Sequence, residues 1–396
     1  MAQHPRTLLA FQLALLISMP GRCASSVNPS TNTFVIGDRT FDHDWITKTS
    51  MPTKGSDMTA TTVGDTIYLI GGCTSDQLWV NDPPYSSYRC SAVTARTTRY
   101  HPLLNTFDSS WSDAPRARYR HAAAAVAGKI YLLGGVDGTD TIVPQVDVLD
   151  IATGTWSTLP ESMPYATTDL CAWVHGGRIY AAGGYSAAWE AMTTTQIFDP
   201  TASASSAWSA GPTMAQGRGD TFAAVQGGKA YILGGFHDGN NFESPLSGLE
   251  MLDMSTSGTS WTPRRSMSIA RGDKAVATLN GIIHVVGGET KNAAGHSVPL
   301  NDVEAYDPIT DTWYSGGSIP SQRFRFTAAV HGSSIFIFGG QGYLVGAHGA
   351  AGSHYPVLST VEAYKEEVTV RVSGAVAVGM RILPMCLALF VAWTGV

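Results

Sequence analysis

The chain has 396 residues, of which only 14% are charged and 42 are glycine. Short strands separated by tight turns fit this composition and a helix bundle does not, so we expect an all-β protein, a class that often forms one domain of this length. The net charge of −6 includes no block of like charges, which excludes the electrostatic footprint of a nucleic-acid-binding protein.

Residues 1–25 have the pattern of a secretory signal peptide. His4 and Arg6 precede an apolar run from Leu8 to Ile17, and Pro20-Gly21 ends that run before a stretch of small residues. The run is shorter than the ~20 residues that a transmembrane helix needs. We therefore predict secretion with cleavage between Cys23 and Ser26, and an uncleaved membrane anchor is the alternative.

Pairs of glycines recur through the middle of the chain, and each pair follows an apolar strand such as TIYLI, KIYLL or SIFIF. The successive spacings are 63, 49, 51, 53 and 52 residues. A turn that carries glycine precedes each of these strands, which is typical of an antiparallel hairpin. The six pairs are Gly71-Gly72, Gly134-Gly135, Gly183-Gly184, Gly234-Gly235, Gly287-Gly288 and Gly339-Gly340.

Tryptophans form a second marker in phase with the glycines. Each lies 23 to 27 residues before the next glycine pair, and a third strand such as VDVLD or VEAYD lies between the glycines and the tryptophan. The pattern therefore predicts four short strands in every period of about 50 residues. The six tryptophans are Trp45, Trp111, Trp156, Trp208, Trp261 and Trp313.

This period and these markers resemble the Kelch repeat, and the segment from Arg118 to Gly135 is close to that family's consensus. The resemblance covers about Phe41 to Tyr364. It implies a six-bladed Kelch β-propeller with four antiparallel strands per blade over residues 38–367. The first blade departs from the pattern by a long insertion before its third strand.

The position of the first tryptophan predicts how the ring closes. Trp45 precedes the first glycine pair with no strand ahead of it, whereas the last repeat supplies three strands and no tryptophan. The N-terminal segment from Phe41 to Ile46 is therefore expected to complete the sixth blade. The alternating segment from Val368 to Val372 is the competing candidate.

Charged residues recur fourteen positions before the first glycine of each pair, and arginines stand two positions earlier in four repeats. In a propeller of this type the first strand of each blade is innermost, so these residues are expected at one mouth of the central channel. Arginines there can bind a carboxylate, and aspartates can hold hydroxyl groups or a cation. The alternative is ion pairing that only locks the blades together. The candidate residues are Asp57, Arg118, Arg120, Asp169, Arg218, Asp220, Arg271, Asp273, Arg323 and Arg325.

Loops between the second and third strands are expected to open on the same face, and they carry aromatic residues beside Asp, Asn and His. Trp79, Trp189, His237 and Asp238 are the candidate binding residues among them. Such a surface suits stacking on sugar rings or anchoring a protein loop. The alternative is that these side chains only pack the loops onto the rim.

The cysteines and the C-terminal segment complete the prediction. In an oxidising compartment Cys73 and Cys90 can form a disulfide, whereas Cys171 lies in an apolar strand pattern and is expected to be a buried thiol. Residues 368–396 form a spacer and a hydrophobic tail, which resembles a GPI-attachment signal because small residues, a spacer and an apolar end follow one another. A membrane helix or an unstructured tail is the alternative.

Together these features predict an extracellular or cell-surface recognition module that binds a glycan or protein ligand on the loop face, without a cofactor or metal. We expect a monomer that contacts the membrane only through its tail. The resemblance also implies an alternative, a sugar-active enzyme of the sialic-acid epimerase or mutarotase type, although no catalytic residue is identified. A Kelch adaptor protein is the third possibility.

Overall fold

The computed structural model describes residues 33–36, 39–42, 44–82, 85–108, 110–237, 244–255, 260–365 and 368–370. Strands dominate these residues, and a short 3-10 turn lies at Ala204–Ser206. In this part of the chain no helix has the length and apolar character needed to cross a membrane. The predicted signal peptide, and the C-terminal tail from residue 371 onward, lie outside the described residues.

Six four-stranded antiparallel sheets, numbered here as blades 1 to 6, follow one another along the described chain. From the innermost to the outermost strand, blades 1 to 3 comprise Thr59–Val63, Thr66–Ile70, Thr97–His101 and Thr106–Asp108; Ala122–Val126, Lys129–Leu133, Asp147–Asp150 and Thr155–Thr158; and Cys171–His175, Arg178–Ala182, Thr195–Phe198 and Trp208–Ala210. In the same order, blades 4 to 6 comprise Phe222–Gln226, Lys229–Leu233, Leu249–Asp253 and Thr262–Arg264; Ala275–Leu279, Ile282–Val286, Asp302–Asp307 and Thr312–Ser318; and Thr327–His331, Ser334–Phe338, Val361–Lys365 and Trp45–Thr47.

The blades form a closed ring. The innermost strand of each blade contacts that of the next, and the innermost strand of blade 6 contacts that of blade 1. Apolar side chains fill the spaces between neighbouring sheets; for example, Leu69 and Tyr100 of blade 1 pack against Phe336 and Val361 of blade 6. A single sheet cannot cover both of its faces, so burial between neighbours stabilises the ring. The prediction of an all-β propeller is confirmed.

The N-terminal strand Trp45–Thr47 closes blade 6. It pairs antiparallel with Val361–Lys365, and Trp45 lies opposite Tyr364 with the ring centroids 5.6 Å apart. The competing strand, Val368–Val370, instead pairs with Arg39–Asp42 in a small sheet that also contains Thr33–Ile36. The prediction that the segment from Phe41 to Ile46 closes blade 6 was therefore right for Trp45 and Ile46. Phe41 and Asp42 belong to the separate sheet instead.

Close approach of backbone segments, to the next blade at the first glycine and within the same blade at the second, explains the paired glycines. Gly134 has a φ of 63°, and a Cβ built on it would lie 2.3 Å from the carbonyl oxygen of Thr167 in the next blade. The second glycine of a pair instead lies close to its own blade: Gly235 has a φ of 93°, and its Cβ would lie 2.2 Å from the carbonyl oxygen of Gly219. Any larger residue at either position would push backbone segments apart.

Tryptophans such as Trp156 and Trp313 tie their blade to the one before it. Trp156 and Trp313 each donate a hydrogen bond from Nε1 to a carbonyl oxygen of the preceding blade, Ser112 at 2.9 Å and Arg265 at 2.7 Å. Their rings also cover apolar surface between the sheets. The tryptophans thus supply apolar area at the outer edge of the ring, and in some blades a directional bond as well, whereas the indole nitrogens of Trp45 and Trp208 have no hydrogen-bond partner among the described residues.

Blade 1 carries the predicted insertion as an extra hairpin, Gln77–Asp82 and Tyr85–Arg89. A disulfide joins Cys73 to Cys90 across the base of this hairpin. The strand His354–Tyr355 from blade 6 pairs with its outer side. Two other strands, Glu289–Lys291 and Ser297–Pro299, form a hairpin in the loop of blade 5.

Candidate functional site

A cavity of about 250 Å³ lies at the centre of the ring. Its wall is formed by the innermost strands, and the second residue of each of these strands is small enough to leave the centre open. These six wall residues are Ala60, Ala123, Ala172, Ala223, Val276 and Ala328.

Six charged residues line one end of this cavity, as the sequence predicted, and we call them the axial ring. Each has a positive φ between 49° and 57°, a conformation that is uncommon for residues other than glycine. Five of them donate a backbone hydrogen bond of 2.8 to 3.2 Å to the carbonyl oxygen of a neighbouring member. These bonds fix the start of each innermost strand and turn the side chains toward the axis. The axial ring consists of Asp57, Arg120, Asp169, Asp220, Asp273 and Arg325.

One side of the axial ring is fully hydrogen-bonded. Arg325 donates from Nε to Asp273 Oδ2 at 3.0 Å and from a terminal nitrogen to Gln77. Gln77 in turn donates to Asp57 Oδ2 at 3.0 Å. Gln77 comes from the extra hairpin of blade 1 and is fully buried, so sequence reasoning, which treated the insertion as a departure from the repeat, did not identify it.

The opposite side differs because Arg120 has no hydrogen-bond partner among the described residues. Its Nε is buried and lies 3.9 Å from Asp57 Oδ1 and 3.8 Å from Asp169 Oδ1, which is too far for a hydrogen bond. The guanidinium lies over the rings of Tyr119 at 5.3 Å and Trp189 at 6.0 Å. Aromatic rings and long-range charge pairing thus hold this side chain, and its donors stay available at the cavity wall.

Carboxyl groups outnumber guanidinium groups around the cavity, and burial, with a smaller contribution from neighbouring carboxylates, raises the pKa of several of them. Burial raises the pKa of Asp57 to about 6, although Arg325 and Arg120 act in the opposite direction. Burial, Asp169 and Asp273 together raise the pKa of Asp220 well above its ordinary value. Asp220 accepts a hydrogen bond of 2.8 Å from the hydroxyl of Tyr185. The site therefore resists further negative charge.

The four predicted arginines that lie two positions before the axial ring do not line the cavity, which corrects the sequence prediction for Arg118, Arg218, Arg271 and Arg323. Their side chains are fully buried inside their own blades. Each forms an ion pair with an acidic residue in the third strand of its blade, and each donates to the carbonyl oxygen of the first glycine in the pair. These groups hold a blade together and cannot reach a ligand. The acidic partners are Asp147, Glu250, Glu304 and Glu362.

Sequence analysis missed these pairs although the sequence contained a signal. In each blade, the residue two positions before the glycine pair lies in the second strand, and the strand register sets one residue of the third strand opposite it. That third-strand residue is acidic only in the four blades that have the arginine. Blade 3 has Thr167 and Gln196 at the two positions, and blade 1 has Gly55 and Thr98. The two residue types thus change together from blade to blade.

The predicted loop residues occupy different surroundings. Trp79 is half-buried and packs against Tyr88 and His348, with centroid distances of 5.2 and 5.8 Å, so it joins loops of blades 1 and 6. Trp189 is half-buried and lies beside Arg120, one of the residues that line the cavity. His237 is exposed and its Nδ1 lies 3.1 Å from the carbonyl oxygen of Gly217. Asp238 lies outside the described residues.

Three titratable residues lie behind the axial ring in the walls between blades. Lys274 is completely buried, has no hydrogen-bond partner at Nζ, and burial lowers its pKa to about 7. Burial likewise lowers the pKa of His121 to about 3 and raises that of the free thiol of Cys171 to about 12. Cys171 is therefore not activated as a nucleophile. In the described chain, no three His, Cys, Asp or Glu side chains are arranged to hold a metal ion.

Comparisons with known proteins bear on this fold. The model of the KLHDC2/KLHL20/DRC7 Kelch-repeats domain matches residues 120–340. The Kelch-like protein terF of Aspergillus terreus is 29% identical over 298 residues, which are 73% of this chain and 61% of that protein. Kelch domain-containing protein 3 of Bos taurus is 23% identical over 299 residues, which are 71% of this chain and 76% of that protein. The chain thus spans less than two thirds of the length of terF.

A solved structure shows the same fold at low sequence identity. The chain titled "Structure of YjhT" superposes with a TM-score of 0.62 and 13% identity, over 84% of this chain and 99% of that one. Kelch propellers serve in general as protein-binding modules, and this broader part of the functional prediction holds for the chain. With a domain match over more than half of its length, six in-phase repeats and a closed ring of sheets, the chain belongs to the Kelch-repeat family.

Proposed function

We propose that the chain is an extracellular or cell-surface recognition module, which binds a glycan or protein ligand at the end of the ring where the axial ring lies. The observation that carries this proposal is Arg120, a guanidinium that lines the cavity and has no hydrogen-bond partner among the described residues. A buried donor without a partner is costly, and a ligand that accepts its hydrogen bonds would remove that cost.

The surroundings of Arg120 support the same function. Trp189 lies beside Arg120, and the cluster of Trp79, Tyr88 and His348 lies in the loops of blades 1 and 6. Half-buried aromatic side chains that surround a polar centre are the usual energetic anchors of a binding surface. The disulfide between Cys73 and Cys90 suits an oxidising compartment, which supports the extracellular location.

The test is a binding screen of the purified, secreted protein on a glycan array and on a library of displayed extracellular proteins. A ligand that binds through this face should lose binding to the Arg120→Gln variant and retain it with Arg178→Gln. Arg178 is a matched control because it is exposed and begins the second strand of blade 3, at the blade end away from the axial ring. The proposal fails if no ligand is found, or if every ligand found is insensitive to Arg120→Gln, Trp79→Ala and Trp189→Ala.

A second candidate function is the sugar-active enzyme, and one observation favours it. Asp169 and Asp220 both line the cavity, and burial raises the pKa of each, that of Asp220 well above its ordinary value, so the two neighbouring carboxyl groups differ in how readily they hold a proton. Such a pair can act as general acid and base. NMR measurement of anomeric exchange distinguishes the two functions. Turnover that the Asp220→Asn variant loses would favour the enzyme, whereas ligand binding without turnover would favour the recognition module.

A further inference from the structure

We propose that the central cavity binds a single neutral sugar unit and excludes sugars that carry a carboxylate. This inference rests on the proposed function and names the ligand class for its central subsite. Three observations support it: a buried hydrogen-bond donor in the cavity without an acceptor, the excess of acidic over basic side chains around the cavity, and the size of the cavity.

The need for a hydrogen-bond acceptor comes from Arg120. Its side chain is only 8% exposed, and no described residue accepts a hydrogen bond from it. The nearest carboxylate oxygens, Asp57 Oδ1 and Asp169 Oδ1, remain 3.9 and 3.8 Å from Nε. Those carboxylates in turn have capacity to accept hydrogen bonds from a ligand. The site thus calls for a group that accepts from Arg120 and donates to its neighbours.

The balance of charge excludes an anion as that group. Four aspartates and two arginines form the axial ring, and the buried Glu289 interacts with Asp273 and Arg325 beside it. A carboxylate bound to Arg120 would lie next to Asp57 and Asp169, inside a region where burial leaves little water to screen the repulsion. The raised pKa values of Asp57 and Asp220 show the same resistance to added negative charge.

A simple cation does not satisfy the site either. An ammonium group supplies donors only, so Arg120 would remain without an acceptor. It would also share the cavity with two guanidinium groups, Arg120 and Arg325. Hydroxyl groups avoid both difficulties, because each one donates and accepts and carries no charge.

Shape and size narrow the ligand further. The cavity volume of about 250 Å³ is below the ~300–1,000 Å³ of sites for drug-sized ligands, which leaves room for one ring. Phe222 lines the cavity, and the ring of Trp189 lies 6.0 Å from the guanidinium of Arg120. Aromatic faces of this kind pack against the apolar face of a sugar while its hydroxyl groups bind polar side chains. A polyhydroxylated ring therefore fits the site better than a linear polar group.

The experiment compares matched ligands on the full-length secreted protein. Dissociation constants are measured by ligand-observed NMR for methyl glycosides of glucose, galactose and mannose, and for the corresponding uronates, which differ only by a carboxylate. At least one neutral glycoside should bind, and its uronate should bind at least about tenfold more weakly. Equal or tighter binding of the uronate would overturn the proposal. Equal affinity for glucosamine and for free lysine would also overturn it. Such a result would mean that the excess of carboxyl groups attracts any ammonium group and that the sugar ring is not recognised.

Variants test the role of Arg120 separately. Arg120→Lys keeps the positive charge but loses the planar set of guanidinium donors. We expect it to weaken binding of the neutral glycoside about tenfold, whereas Arg178→Lys should leave binding unchanged. If Arg120→Lys is unfolded by circular dichroism, the comparison of glycosides and uronates on the unmodified protein still decides the matter. If no glycoside binds but a protein ligand does, and Trp189→Ala removes it, the sugar proposal fails and the recognition function stands.

Discussion

Replacing Lys274 with methionine should make the propeller more stable. The lysine is completely buried, its Nζ has no hydrogen-bond partner, and it lies 5.5 Å from the centre of the Phe222 ring. Burial, aided by the charge of Arg218, lowers the pKa of Lys274 from 10.5 to about 7. Methionine has a similar unbranched length and needs no such partner, so the packing can be kept while the buried amine is removed.

The size of the effect follows from proton linkage. A difference of one pH unit in pKa corresponds to about 1.4 kcal/mol, so a pKa that falls from 10.5 to about 7 corresponds to a cost of order 5 kcal/mol. Repacking around the new side chain reduces the gain, and we expect the free energy of unfolding to rise by about 2–5 kcal/mol near pH 7. Because the unfolded lysine binds a proton below pH 10.5 and the folded one does not, the advantage should shrink as pH rises from 7 toward 10.5.

The assay is urea unfolding followed by tryptophan fluorescence, near pH 7 and near pH 10. Lys129→Met is the matched control, since Lys129 is exposed and lies 3.6 Å from Asp150, an arrangement whose loss costs ~1 kcal/mol or less. A Lys274→Met protein that is no more stable than the parent near pH 7 would refute the reasoning. An advantage of the same size at both pH values would refute it as well.

Three further changes test other parts of the structure. Arg218→Met or Glu250→Met alone should cost about 3–5 kcal/mol of unfolding free energy, whereas the double variant should lose much less, as a double-mutant cycle by chemical denaturation would show. The Cys73→Ser, Cys90→Ser protein should lose about 2–4 kcal/mol relative to the oxidised parent, and calorimetry with and without reductant checks this. His121 is buried in its neutral form with a pKa of about 3, so the parent should lose stability as pH falls from 6.5 toward 3, and His121→Leu should flatten that part of the profile. A profile of unchanged slope would contradict the last expectation.

Much of the fold was predictable because the repeat is strict. The first glycine of each pair marks a close approach that every blade makes to the next one, so the physical constraint at Gly134 recurs in all six blades. The axial ring was predictable for the same reason, since a residue at a fixed distance before Gly134 must start the innermost strand. Periodic constraint of this kind is visible in a single sequence.

The side-chain interactions at the site were harder to predict. Arg118 and Arg120 are two residues apart in one sequence pattern, yet the first is paired inside its blade and the second lines the cavity. The choice depends on which way each side chain points and on an acidic partner, Asp147, from a strand whose distance along the chain varies between blades. Gln77 was missed because it belongs to an insertion that only one blade has.

The pairing of Trp45–Thr47 with Val361–Lys365 has a consequence for synthesis in the cell. The strand that closes the ring leaves the ribosome before every other strand of the six blades and finds its partner only after the last blade has been translated. Until then the nascent chain carries an unpaired sheet edge and incompletely covered apolar faces, the kind of surface that chaperones bind and that promotes association between chains. Ring closure is therefore a late event, and the yield of this protein depends on how well the expressing cell protects the open intermediate.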